Sequence, residues 1–254
     1  MKVSIITVVF NGVKTINDTI QSVLGQKHPY IEYIIIDGAS TDGTVKIIQN
    51  YINSISLFVS VSDSGIYDAM NKGLKLATGD IVGILNSDDI YVDSKVISEV
   101  VNIFVSKQTE CVFADLVYVH PDNLGYVVRY YSAAGFTPDK FAYGWMPPHP
   151  TFFARREVYE KYGLFNTTYK IAADFELLVR FLARHKVSYF YLPEVIVKMR
   201  TGGISTRSLK SNFILNKEIV KACKENNIST NYLKVYSKYL TKVSQLIRKS
   251  KWRS

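Results

Sequence analysis

The sequence predicts an α/β fold, a mostly parallel sheet flanked by helices, and three observations predict it. Apolar, β-branched runs of strand length alternate with segments whose apolar residues recur at helical spacing. Successive strand-like runs close on Asp or Asn, at the sheet edge where open α/β folds bind ligands. Residues 81–85 are apolar at nearly every position, as expected of a strand covered on both faces. With 254 residues, 47% of them hydrophobic, the chain has ample material for such a core.

The elements follow in order. Residues 3–10 read as the first strand and Asn11-Gly12 as its turn, which puts Asn11 at a carboxyl end. Ile16, Ile20, Val23 and Leu24 mark a helix over 15–26, and residues 30–36 form a second strand closing on Asp37. This β-α-β unit is expected to cross over right-handedly. Between Asp37 and the helix predicted over 44–51, Gly38 and Gly43 permit tight turns and Asp42 can cap the helix. Residues 56–62 give a third strand closing on Asp63. A helix-like run then feeds strand 81–85, which ends in Asn86-Ser87-Asp88-Asp89. Neighbouring carboxylates repel unless a cation or a hydrogen-bond network offsets them, and oxygen ligands of this kind suit Mg²⁺ or Mn²⁺. The plainer alternative is an Asp-rich turn capping a helix that starts near Val92.

Residues 112–131 alternate in strand fashion around a Pro121-Asp122-Asn123 turn. The stretch Trp145-Met146-Pro147-Pro148-His149-Pro150 is too proline-rich for helix and suits an acceptor-side wall. His149, just before a strand at 151–154, is read either as a structural hydrogen-bonding histidine or as a metal or phosphate contact. Asp174 opens a helix with Leu177, Leu178, Phe181 and Leu182 at helical spacing and Arg184, His185 and Lys186 in its last turn. It can cap that helix, act as a base, or do both.

The net charge of +9 is concentrated in the tail: residues 207–254 hold 12 Lys and Arg against 2 Glu, giving +10, while the preceding residues sum to −1. The tail reads as two helices with a break near Asn226-Asn227. Leu233, Tyr236, Leu240, Val243 and Ile247 form an apolar stripe, and Lys234, Lys238 and Lys242 recur on another face. Such a helix can pack on the domain or lie on an anionic membrane. Cys111 and Cys223 form no metal-ligand pair, and no run has the ~18 apolar residues of a membrane span. With a strand-like run at the N-terminus instead of a signal peptide, the expected compartment is the cytoplasm. No G-x-G-x-x-G follows the first strand and no Walker-type loop is present, so the usual dinucleotide and NTP readings lose their main support.

The segments TVVFNG, DGASTDGT, DSGIYDAMNKGLKLATGD, ILNSDD, IAADFELLVRF and MRTGGIS, in this order over residues 3–206, resemble family 2 glycosyltransferases. The resemblance implies a GT-A fold and an inverting, metal-dependent transfer from a UDP-sugar. Residues 1–206 would be the catalytic domain, with 1–105 holding the nucleotide-sugar and 106–206 the acceptor, followed by a basic helical extension at 207–254. It implies that Thr7, Val9 (through its backbone), Asn11, Asp37, Asp63 and Asn71 line the nucleotide pocket. ILNSDD stands at the family's DXD motif, with Asn86, Ser87 and Asp88 at the donor and Asp88 holding Mn²⁺ or Mg²⁺; His149 is a weaker metal candidate. Asp174 matches the catalytic base, and Arg200 would pair with diphosphate on a loop that Gly202 and Gly203 let move. Two departures stand out: Asn86 replaces the motif's frequent first Asp, and Ser60-Val61-Ser62-Asp63-Ser64-Gly65 replaces the frequent S-E-P-D-K-G. The implied acceptor is an undecaprenyl-diphosphate-linked or other saccharide, met on the inner face of the plasma membrane through the basic tail. Two other classes are weaker. A nucleic-acid-binding protein has only the tail for support, and a sugar nucleotidyltransferase would need a Gly- and Arg-rich loop that residues 10–13 lack.

Overall fold

The structure, a computed structural model, describes residues 1–202 and 209–237. Its first strand, β1 (Val3–Val9), is buried at every position because it is covered on both faces and paired on both edges. After α1 (Ile16–Leu24), β2 (Ile31–Asp37) pairs with β1 in parallel, Val9 opposite Asp37. The chain then adds α2 (Thr44–Gln49), β3 (Leu57–Ser60), α3 (Ile66–Leu76) and β4 (Ile81–Ile84). β3 extends the sheet beyond β2, whereas β4 returns to the other edge of β1, also in parallel. The winding therefore reverses between β1 and β4, and the carboxyl ends of these two strands form the switch-point crevice.

The remaining elements are β5 (Asp89–Tyr91), α4 (Val96–Lys107), β6 (Cys111–His120), β7 (Asn123–Tyr131), β8 (Phe153–Arg155), α5 (Arg156–Tyr162), α6 (Ala173–Leu178, continuing as a π-helical turn over Val179–Arg184), β9 (Tyr189–Arg200) and α7 (Leu209–Glu225). Among the described residues one nine-stranded sheet runs β3-β2-β1-β4-β8-β6-β9-β5, with β7 paired to β6. It passes unbroken from the 1–105 half into the 106–206 half. Ile5, Ile16, Ile20, Ile35, Val100 and Phe104 pack on one face beneath α1 and α4; Ile6, Ile34, Met70, Leu74, Phe175 and Phe181 pack on the other beneath α3 and α6.

Four expectations are corrected here. The sheet is mixed and not mostly parallel: β1 to β4 pair in parallel, but β4–β8, β8–β6, β6–β7 and β9–β5 pair antiparallel. The helix expected near Val92 begins at Val96, because Asp89–Tyr91 forms a short strand against β9, opposite Val197 to Met199. Residue 207 is no boundary for the described tail: Ile219, Val220, Ala222 and Cys223 of α7 belong to the same core as Ile6 and Val8 of β1. In the helix at 232–237, Val235 is buried while Leu233 is 85% exposed, so the side expected to pack at its start faces solvent. Leu240, Val243, Ile247, Lys238 and Lys242 lie outside the described residues, as do Gly203 and the rest of 203–208. No described helix is long and apolar enough to cross a membrane.

Candidate active site

At the switch point the two strand ends touch. A Cβ on Gly12 would lie 2.7 Å from Val9 Cγ2, a clash within its own turn, and 3.4 Å from Ser87 Oγ, which puts the β1 turn in van der Waals reach of the β4 turn. Asn11, at φ 51°, accepts the Thr41 N–H at 2.9 Å through Oδ1, and its own N–H donates to Ser40 Oγ at 2.7 Å. The Val9 carbonyl accepts the Gly38 N–H at 2.8 Å. Asp37 is buried, its Oδ2 accepting the Ser40 N–H at 3.0 Å and the Ser60 hydroxyl at 2.6 Å, and its Oδ1 has no protein partner among the described residues. Asp63 lies past the end of β3 but close by: a Cβ on Gly38 would be 2.5 Å from its Oδ2. Its Oδ1 accepts the Gly65 N–H at 2.8 Å. Beside them Phe10 is 65% exposed, with its ring edge against Gly38. Phe10 carries no polar signal in the sequence; it is marked only as an aromatic at the first position where the buried β1 run meets solvent.

On the β4 side, Asp88 is half-buried while Asp89 turns inward as the first residue of β5. Burial, followed by the neighbouring Asp88 charge, pushes the Asp89 carboxyl well above the usual carboxylate range. Its Oδ2 lies 3.4 Å from Asn86 Nδ2, which can donate to it. Arg200 is corrected too. It is only 6% exposed, donates from Nη1 to the Asp88 carbonyl at 2.9 Å and from Nε to the Pro121 carbonyl at 3.3 Å, and pairs with Asp18 of α1 through Nη2. Its guanidinium fastens the Asp88 turn to the sheet and is committed away from a diphosphate. His149 is buried edge-on to Phe165, ring centroids 5.5 Å apart, and burial pushes its pKa down to about 4. Its imidazole is neutral and packed in the core, and no ligand set gathers around it among the described residues. Among the described residues no group of three or more His, Cys, Asp or Glu is placed to hold a metal. The donor set at Asp88 is one carboxylate, which fits a Mg²⁺- or Mn²⁺-type ion held largely by substrate phosphate oxygens.

Asp174 stands in the first turn of α6, where Ala172, with no side-chain cap, occupies the cap position. Its Oδ1 accepts the Phe175 N–H at 2.8 Å and lies 3.5 Å from the Tyr67 hydroxyl, which donates to the Ile171 carbonyl. Burial outweighs these hydrogen bonds and pushes its pKa up to about 6. Tyr67, four residues after Asp63, thus links the two sides of the site, and its hydroxyl is pushed well above its ordinary range by burial and then by the Asp174 charge. Glu176, the neighbouring carboxylate, is spent on structure: it pairs with Arg180 at 3.0 Å through both oxygens.

Two expected pocket residues are placed elsewhere. Asn71 forms a two-pronged clamp on Phe165, its Nδ2 donating to the carbonyl and its Oδ1 accepting the N–H, both at 2.9 Å. The Thr7 hydroxyl accepts from Tyr33 at 3.2 Å inside the core. Neither side chain is turned to a nucleotide.

A sequence profile described as glycosyl transferase family 2 matches residues 4–163. The uncharacterized glycosyltransferase Rv1514c of Mycobacterium tuberculosis is 31% identical over 180 residues, covering 70% of this chain and 68% of that one. TuaG of Bacillus subtilis, provisionally named a teichuronic acid biosynthesis glycosyltransferase, is 44% identical over 90 residues, 34% of this chain and 36% of its own. Two solved structures are similar in fold. S. aureus TarS 1-349 in complex with UDP-GlcNAc has a TM-score of 0.68 at 18% identity, covering 94% of this chain and 72% of that one. The mannosyltransferase PcManGT of Pyrobaculum calidifontis, in complex with GDP-Man and Mn²⁺, has a TM-score of 0.66 at 18% identity, covering 96% and 69%.

Proposed function

We propose, for a chain that belongs to glycosyl transferase family 2 and has the GT-A fold, that it transfers a hexose or N-acetylhexosamine from a UDP-sugar to a lipid-linked saccharide, with inversion at the anomeric carbon. The observation that carries this reading is the grouping of Phe10, Asn11, Asp37 and Asp63 at the strand ends, with Ser87 of the β4 turn against Gly12 and Asp88 next to it in that turn. An exposed aromatic face suits a base, and carboxylates suit its N–H and the ribose hydroxyls. When bound, Mg²⁺ or Mn²⁺ at Asp88 would neutralise charge developing on the departing diphosphate. Asp174 takes the proton of the acceptor hydroxyl as its oxygen attacks the anomeric carbon. A carboxyl with a pKa of about 6 is ionised at neutral pH yet basic enough for that transfer. With Glu176 tied to Arg180, Asp174 is the carboxylate of this helix left for the role of base.

The name of TuaG and the +10 charge of residues 207–254 support a place in bacterial surface polysaccharide assembly, with the tail against the anionic inner face of the plasma membrane. Incubation with a panel of UDP- and GDP-sugars, Mn²⁺ and a synthetic diphospho-lipid acceptor, followed by mass analysis, tests the reading. A product mass increased by one hexose or N-acetylhexosamine residue from a UDP-sugar is expected. Transfer from GDP-sugars alone, or none from any donor, overturns it.

A further inference from the structure

α7 does more than close the core. Its Glu218 carboxylate accepts three successive backbone N–H groups of the segment before α6: Lys170 to Oε1 at 2.8 Å, and Ile171 and Ala172 to Oε2 at 2.9 Å each. The carbonyl of Ile171 meanwhile accepts the Tyr67 hydroxyl, so this segment is held by α7 on one side and α3 on the other. Ala172 is the cap residue of α6 and Asp174 follows two residues later. α6 has no cap from its own sequence, and donors at its approach are satisfied by a side chain some 46 residues on. α7 itself is anchored through Ile219, Val220, Ala222 and Cys223, which fixes Glu218 in turn. Charge-assisted bonds to backbone N–H groups are among the stronger hydrogen bonds in proteins, and a misplacement of ~1 Å at a reacting group can cost ~10²-fold in rate.

We infer that Glu218 is a positioning residue: its carboxylate, by gripping residues 170–172 against Tyr67, sets the place and environment of Asp174 and so couples the tail to the chemistry. The inference rests on Asp174 being the base. The titratable groups that face Asp174 are Tyr67 of α3 and Glu218 of α7, with Tyr118 of β6 and Tyr131 of β7 sensing it at longer range. Glu218 bears the same charge as Asp174 and adds to burial in opposing its ionisation. Replacing Glu218 with a neutral group therefore moves Asp174 ionisation to lower pH.

The variants are Glu218→Gln, which keeps the shape, and Glu225→Gln as a control on the same helix, where Glu225 accepts the Tyr169 hydroxyl at 2.5 Å. In Glu218→Gln, hydrogen exchange at the amides of residues 170–172 should accelerate. The Asp174 carboxyl, followed by ¹³C NMR and assigned with Asp174→Asn, should titrate at lower pH than in the unaltered protein. kcat should fall about 10²-fold, with KM for the donor within a few-fold and the acid limb of kcat displaced downward. Glu225→Gln should leave the limb and kcat in place. If Glu218→Gln lowers only the melting temperature, with kcat and the limb unmoved, Glu218 is a packing contact and the inference falls. The exchange and NMR measurements need no substrate. Their expected changes without product from any sugar nucleotide would overturn the proposed function and leave the grip on Asp174 standing; product with no change in them would do the reverse.

Discussion

At the carboxyl ends of β1 to β4, candidate residues hold one another within and between the turns that end neighbouring strands, at separations of 2 to 30 residues: Asp37 meets Ser40 and Ser60, Asn11 meets Ser40 and Thr41, and Asp63 meets Gly65. Around Asp174 the contacts come from far away, with Tyr67 107 residues before it, Asn71 94 residues from its partner Phe165, and Glu218 46 to 48 residues from the amides it holds. The difference follows from topology. A parallel sheet delivers its strand ends to one edge automatically, so short polar turns suffice for a binding site there. Asp174, the proposed base, lies in the other half of the chain, in a segment fastened by residues of α3 and α7, and its carboxyl is desolvated there. Binding should therefore depend on the turns at neighbouring strand ends, and proton transfer on contacts made across the whole domain.

The largest expected effect breaks the binding side. Asp88→Ala should abolish transfer and Mn²⁺-dependent UDP binding while leaving a folded protein, as measured by titration calorimetry beside circular dichroism. Unchanged metal-dependent UDP binding would remove Asp88 from the metal.

Next comes Asp174→Asn, which should lower kcat by about 10²- to 10⁴-fold with UDP-sugar affinity within a few-fold. More than about a tenth of normal turnover, judged against that range, would place the base elsewhere. Its pH behaviour has a definite sign. The folded carboxyl titrates at about 6 against an ordinary 3.8, so between these values the native chain binds a proton that the unfolded chain has lost. Stability from this group is present below the lower value and falls as pH rises through the window. Asp174→Asn should consequently melt higher than the unaltered protein at pH 8, and activity of the unaltered enzyme should decline below about 6.

Asn71→Ala sharpens the comparison from the other direction. Two buried backbone groups of Phe165 lose their partners, so the fold should lose about 2 to 4 kcal/mol in urea titration. UDP affinity of the folded fraction should stay within a few-fold; a loss beyond tenfold would return Asn71 to the nucleotide pocket. The smallest effect is expected from deleting residues 238–254, beyond the described core. Binding to anionic vesicles should weaken at low salt with UDP affinity unchanged, and vesicle binding that survives would assign those charges to solvent.

The sequence by itself determined the α/β class, β1 to β4 with their intervening helices, and the positions of Asn11, Asp37, Asp63, Ser87, Asp88 and Asp174. These are local matters: apolar runs set strands, helical spacing sets helices, and a polar residue after a strand lies at its end whatever the rest of the chain does. Tertiary structure decided what each polar group spends its hydrogen bonds on. Asn71 reads like a pocket residue until Phe165 takes both ends of its amide, and Arg200 like a diphosphate ligand until Asp18 and the Asp88 carbonyl claim its guanidinium. β5 is three residues long, too short for a periodic signal, and exists because β9 offers it a ladder. Glu218 had no local sign at all: a Glu on a helix of a basic tail looks solvated, and only long-range packing brings three amides to it. Spacing along the chain tells which face or edge a residue occupies, but the partner that satisfies a buried polar group is chosen by contacts whose sequence separation carries no pattern.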